Sequence, residues 1–129
     1  MPRRVPADRG SAAVEFALLL PILLLVLLGL VQVGVMATDQ LLVVQASRAG
    51  AREASVQASV EAVDAAARSA AAGLDESRLD VEATWGAARG DPVTVIVAYE
   101  MPVSPLLAGW LLPESVTLHS EATMRREFP

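Results

Sequence analysis

The chain has no cysteine, no lysine and a single histidine, His119, in 129 residues. Without cysteine it can build neither a disulfide framework nor a thiolate metal site. His119 sits alone in a strand-like stretch and reads as a surface residue. No Gly-rich phosphate loop, dinucleotide turn or metal-ligand spacing is present. Ser11 and Ser104 have no base nearby in sequence. No catalytic residue, cofactor or metal is therefore expected, and an enzyme has no residue set to support it. All ten basic side chains are arginine, which we read as a coding bias. They are outnumbered by 15 acidic ones, for a net charge of -5. An acidic exterior argues against nucleic acid as a partner.

Apolar residues, by contrast, make up 53% of the chain, and they concentrate at its start. From Phe16 to Ala37 only Gln32 is polar. A helix over this run is about 33 Å long, and a bilayer core is about 30 Å thick. The segment 11–37 is thus expected to cross a membrane. Residues 1–10 form a basic leader, with Arg3, Arg4 and Arg9 against Asp8. Positive charge before the run and Asp39 after it place the N-terminus in the cytoplasm and the remainder outside. Pro21 removes a backbone donor inside the run and is expected to kink the helix. Gly29 and Gly34 are five apart and do not share a face as a GxxxG pair does. A cleaved secretory signal, cut before Thr38 after Val35-Met36-Ala37, is the rival reading, but its apolar region would exceed the usual length.

Glu15 stands at the mouth of this run, five residues after Gly10. A carboxylate in the first turns of a helix is favoured by the macrodipole by about 0.3–1 kcal/mol. That alone could account for it. A cut after Gly10 would instead make Ser11 the N-terminus, and its α-ammonium would lie one turn from Glu15 or face the Glu15 of a neighbouring subunit. The two explanations stand equal on these residues alone.

The wider string, with Gly10, Glu15-Phe16, Leu20-Pro21-Ile22-Leu23-Leu24 and the Ala/Arg-rich Gln45–Glu53, resembles the TadE-like pseudopilins of the tight-adherence (Flp-type) pilus system. The resemblance covers residues 10–54 and does not separate TadE from TadF. It implies a processing site of Gly10, Ser11, Glu15 and Phe16, cut after Gly10 by a prepilin peptidase. It also implies a minor structural or assembly subunit in pilus biogenesis. Its partners would be other pilin-like subunits (TadF-like and Flp-type), the assembly machinery and the cell membrane. The alternative is an exported binding module on an uncleaved single-pass anchor.

Beyond Ala37 the helical pattern continues. Leu41, Val44, Arg48, Ala51 and Ser55, spaced by threes and fours, predict a stalk helix over 38–55, with Gly50 tolerated at about 1 kcal/mol. A small exported domain follows over 56–129. Val56, Val60, Val63, Ala67, Ala70 and Leu74 predict an amphipathic helix stopping near Gly73, with an Asp64–Arg68 pair on its outer side. The period then changes to two. Strands are expected at Leu79–Trp85, at Val93–Tyr99 (apolar on both faces, as in a central strand) and at Val116–Met124. Gly86–Pro92 reads as a turn. The expected fold is membrane-anchored α+β: a long transmembrane helix continued as a stalk, then an amphipathic helix on a small three-stranded antiparallel sheet. Met101–Pro113 is apolar yet rich in breakers. It either folds back to cover the sheet or offers a docking patch of Leu106, Leu107, Trp110, Leu111 and Leu112.

Overall fold

The computed structural model describes residues 8–129, with side chains from residue 10 onward. The elements in order are α1 (Asp8–Val56), α2 (Val60–Ala70), a 3-10 turn (Glu76–Arg78), β1 (Leu79–Trp85), β2 (Pro92–Pro102) and β3 (Ser115–Arg125). The chain divides into two compact units, Met1–Gly34 and Val35–Pro129.

In the first unit, α1 is apolar on every side. Val14, Phe16, Leu18, Leu19, Ile22, Leu23, Leu24, Leu27 and Leu30 are all exposed. A water-soluble helix hides such a surface, whereas a helix in lipid presents it. α1 is long and apolar enough to cross a membrane, and none of its most apolar stretch is buried. The helix continues through Pro21. A Cβ on Gly29 or on Gly34 would meet nothing within 4 Å.

The second unit has two layers. β1, β2 and β3 form an antiparallel sheet in the order β1-β2-β3, with Leu79 opposite Tyr99 and Val97 opposite Ser120. The C-terminal part of α1 packs with α2 on one face of this sheet. The core joins Val43, Ala46, Ala51 and Ala54 of α1 to Val63 and Ala67 of α2 and to Val93, Val95, Val97, Tyr99 and Met101 of β2. The expected boundary at 55/56 therefore does not separate a free stalk from a domain: residues 43–55 are the core helix of the same unit.

α1 buries one face in this unit. Leu41 is exposed at 63%, and Arg48 is exposed as well. The inward positions are Val43, Ala46, Ser47, Gly50, Ala51, Ala54 and Ser55. Small side chains let the helix lie close to its neighbours. A Cβ on Gly50 would come 3.0 Å from Val95 Cγ1, 3.4 Å from Val63 Cγ1 and 3.5 Å from the Ala67 Cβ. Gly50 is thus a point of close approach between three elements, where its sequence context showed only a weak helix former. The two buried hydroxyls are satisfied: Ser47 Oγ bonds the Val44 carbonyl and Ser120 Oγ, both at 3.0 Å. Ser55 Oγ donates to the Arg52 carbonyl at 2.7 Å.

α2 is shorter than its apolar stripe. Val56 ends α1 and Val60 begins α2, and both are more than half exposed. Ser59 supplies the break, because its hydroxyl caps α2 by accepting the Ala62 N–H at 3.2 Å. Such a cap satisfies one of the free N–H groups of the first turn. Gly73, with φ +113°, lies beyond the last turn. Arg68 bonds Asp64 Oδ2 at 2.7 Å as expected. It also donates to the carbonyls of Glu76 at 2.8 Å and Leu79 at 3.3 Å, tying α2 to the start of β1.

β2 is central, but only one of its faces is covered. Val93, Val95, Val97, Tyr99 and Met101 are buried, whereas Ile96 is 40% exposed between Glu82 and Glu121. Among the described residues no helix lies on the sheet's second face, so this central strand is apolar on both faces but buried on one. Arg126, directly after β3, organises the β1–β2 turn. It donates to the carbonyls of Gly86 at 2.9 Å, Ala87 at 3.3 Å and Pro129 at 2.9 Å. Its guanidinium lies 4.2 Å from the centre of the Phe128 ring.

Candidate functional site

Two groups of residues singled out by the sequence can be placed, and they fall in different units. The first is Gly10, Ser11, Glu15 and Phe16. All four are helical residues of α1 and all are exposed. The Gly10–Ser11 peptide is part of the helix, so Ser11 and Glu15 stand one turn apart on one side. Ser11 Oγ donates to Glu15 Oε1 at 3.1 Å. In the uncut chain Glu15 therefore has a local neutral partner. Phe16, 60% exposed, begins the apolar surface directly after the carboxylate. Arg3 and Arg4 of the leader lie outside the described residues.

The second group is the β2–β3 connection. It is an ordered loop that bonds to itself. The Val103 N–H donates to the Glu114 carbonyl at 3.0 Å and closes its ends. The N–H groups of Leu107 and Ala108 donate to the Ser104 carbonyl, both at 2.9 Å. Those of Leu111 and Leu112 donate to the Leu107 carbonyl at 3.1 and 3.0 Å, and Gly109 N–H donates to Leu112 at 2.8 Å. Gly109 has φ +78°, a left-handed conformation that favours glycine. Leu107 is buried at 1% and so forms the inside of the loop, not part of its outer surface. Leu106, Trp110, Leu111 and Leu112 point outward, at 73, 71, 65 and 39% exposure. The segment thus has Met101, Val103 and Leu107 turned in and four large apolar side chains turned out.

His119 is exposed on β3, and its backbone carbonyl accepts from Gln40 Nε2 at 3.2 Å. Among the described residues no group of His, Cys, Asp or Glu is placed to hold a metal ion. The small-residue face of α1 and the Arg126 clamp were missed by sequence reasoning. The first has a visible signal: Ala46-Ser47, Gly50-Ala51 and Ala54-Ser55 recur every four residues.

An apolar helix long enough to cross a membrane, whose own continuation is the core helix of a small α+β unit, is consistent with a membrane-anchored class of protein. Within that class, residues 10–52 of the chain match the model of the TadE-like protein family. The match begins at Gly10 and runs through Glu15, the apolar run and most of the small-residue face. The match covers a third of the chain and lies wholly within α1. No curated protein matches the chain. No solved structure matches it.

Proposed function

We propose that the protein is a minor pseudopilin-like subunit in the biogenesis of a tight-adherence type pilus. The observation that carries this reading is the family match over residues 10–52, which starts at the glycine where processing would occur. In this proposal a prepilin peptidase cuts after Gly10. The N-terminus faces the cytoplasm and the Val35–Pro129 unit is exported. Partners are other pilin-like subunits, TadF-like or Flp-type, and the assembly machinery. Pro21 bends the membrane helix where it removes a backbone donor.

The Ser11–Glu15 contact supports a specific role for the carboxylate. Before cleavage Glu15 accepts from a neutral hydroxyl at 3.1 Å. Cleavage would give the same Ser11 a positive α-amine, so the acceptor would meet a charged donor, its own or a neighbouring subunit's. Charge-assisted hydrogen bonds are roughly twice as strong as neutral ones. A pair at membrane depth would also fix how adjacent helices register.

The test is mass spectrometry of the membrane-purified protein made with its cognate peptidase. A mature terminus at Ser11 is expected, and one at Met1 or Thr38 sinks the processing step. The same hydrogen bond also suits an uncleaved anchor, because it leaves Glu15 satisfied without any cut. Glu15→Leu separates the readings. The pilin reading expects loss of assembly or processing despite normal insertion, and the anchor reading expects normal function. A reporter fused after Pro129 that is active only in the cytoplasm would refute the topology.

A further inference from the structure

Within the Val35–Pro129 unit, α1 and β3 run side by side in the same direction. Gln40 meets the His119 carbonyl at 3.2 Å and Ser47 meets Ser120 at 3.0 Å. Gly50 abuts Val95, whose register partner is Ala122. The Glu127 N–H donates to the Ser55 carbonyl at 2.8 Å. Rising numbers on the helix meet rising numbers on the strand. The beginning of β3, and with it the β2–β3 connection, therefore lies at the end of the unit where Val35 stands. From Gln40 back to Val35 the helix advances about 7.5 Å. From His119 back to Ser115 the strand advances about 13 Å. The connection therefore lies near the level of Val35, close to where the apolar run of α1 ends at Ala37.

We propose that the tip of this connection, Leu106, Trp110, Leu111 and Leu112, seats in the interfacial region of the bilayer that α1 crosses. The proposal rests on the reading of α1 as a membrane-spanning helix. Three properties of the loop favour lipid over a protein partner. It has no charged residue from Met101 to Pro113. Many of its backbone N–H groups are bonded within the loop, at Leu107, Ala108, Gly109, Leu111 and Leu112, and Pro105 and Pro113 have none to satisfy. Backbone satisfaction is what a water-poor environment demands. Tryptophan beside leucine, at the level where a spanning helix leaves the membrane, is the composition of an interfacial belt. The tip would hold the unit against the bilayer surface and limit its rotation about α1.

The chain's lack of cysteine makes the test direct. Single variants Leu111→Cys and Leu106→Cys carry a nitroxide in the full-length protein, reconstituted in nanodiscs of phosphatidylcholine and phosphatidylglycerol. Ala87→Cys, on the turn at the opposite end of the sheet, reports water, and Leu27→Cys reports the span. Collision rates with oxygen and with a water-soluble nickel chelate are compared. The expected oxygen-to-nickel ratio at positions 111 and 106 is several-fold that at 87 and approaches that at 27. A water-like ratio at 111 and 106 with a lipid-like ratio at 27 overturns the proposal and leaves the spanning helix intact. Low accessibility to both reagents at 111 and 106 would mean a contact between copies of the chain and also overturns it. Water-like ratios at all four positions refute the spanning helix, and the proposal with it.

Discussion

Replacing Gly50 by valine tests whether α1 is held to its neighbours by close approach. Two effects compete. Moving from glycine toward a better helix former gains about 1 kcal/mol for alanine and roughly half of that for valine. Against this, the new Cβ would stand 3.0 Å from Val95 Cγ1 and 3.4 Å from Val63 Cγ1. Both neighbours are buried at 0 and 1% exposure, so neither has free space to retreat into. With alanine the two effects nearly offset, and Gly50→Ala is expected within about 1 kcal/mol of wild type. Valine adds two methyls farther out, where overpacking costs about 1–3 kcal/mol. We expect Gly50→Val to destabilise the second unit by about 2 kcal/mol, a fall in Tm of roughly 8–16 °C for a domain of this size. Near-UV circular dichroism of Trp85 in the detergent-solubilised chain is the assay, because that indole is fixed to the Ala54 carbonyl at 2.9 Å. Val95→Ala removes the atom that valine would strike. The double variant should therefore be more stable than the sum of the single effects allows, with a coupling of about 1 kcal/mol or more. A stable Gly50→Val variant, or additive effects in the double variant, would refute the close-approach argument.

Trp85→Phe removes the indole donor to Ala54 and should cost about 1 kcal/mol in denaturant unfolding. Arg126→Ala frees the carbonyls of Gly86, Ala87 and Pro129 and should cost about 1–3 kcal/mol. Arg126→Lys should not restore this loss, because an ammonium lacks the planar fork, and amide exchange in the 86–91 turn should rise in both variants. The Asp75 carboxyl is held below its ordinary pKa by the Ser77 hydroxyl and the Ser77 N–H, at 2.6 and 3.0 Å. A depressed folded-state value means its contribution is present above the ordinary aspartate pKa and lost as pH falls through the folded value. NMR titration should place Asp75 below its ordinary value, and Ser77→Ala should move it upward.

The order of helices and strands was legible because the periods were clean. Leu79, Val81, Ala83 and Trp85 alternate with polar residues and form β1 on the expected side. Three features were not legible, for identifiable physical reasons. The spacing of Leu41, Val44, Arg48, Ala51 and Ser55 predicts the helix but not its buried face, which packing selects by size, through Ala46, Gly50 and Ala54. α2 was extended back to Val56 because apolar spacing does not register Ser59, whose hydroxyl starts the helix. β2 is apolar on both faces, yet Ile96 and Ala98 lie on the open one. These residues are flanked on the open face by Glu82, Glu121 and His119, cross-strand partners that are not visible until register is known. The Gly10–Phe16 group could be located from spacing alone, but its Ser11–Glu15 bond required the helix to continue through residue 10. Leu107 could not be separated from Leu106 and Leu111, because burial inside a self-bonded loop depends on turns that no periodicity encodes.

The extent of the family match can be weighed against these features. It ends at Arg52, inside α1, and so takes in the glycine and glutamate, the apolar run and the small-residue face as far as Ala51. These demand particular residue types at particular spacings. A close helix contact favours glycine, alanine or serine at its inward positions, and a membrane run favours apolar side chains. A strand with one open face asks only for alternation, which many residues satisfy. The matched region is thus where physical demands on sequence are narrowest. In this chain one helix meets two of them in succession, presenting apolar side chains all round before Gly34 and a strip of small ones after Val43. The strip serves the fold of the second unit, as the contacts of Gly50, Ser47 and Ala54 show. It is therefore already occupied, and contacts between α1 and any other helix in a membrane would have to use the exposed apolar surface between Val14 and Val33. Leucine or phenylalanine substitutions at Ala46 or Ala54 should accordingly destabilise the second unit, whereas changes of similar size at Leu19 or Leu27 should leave its unfolding unchanged. Near-UV circular dichroism of Trp85 in detergent distinguishes the two, and equal effects at both pairs of positions would contradict this division of the helix.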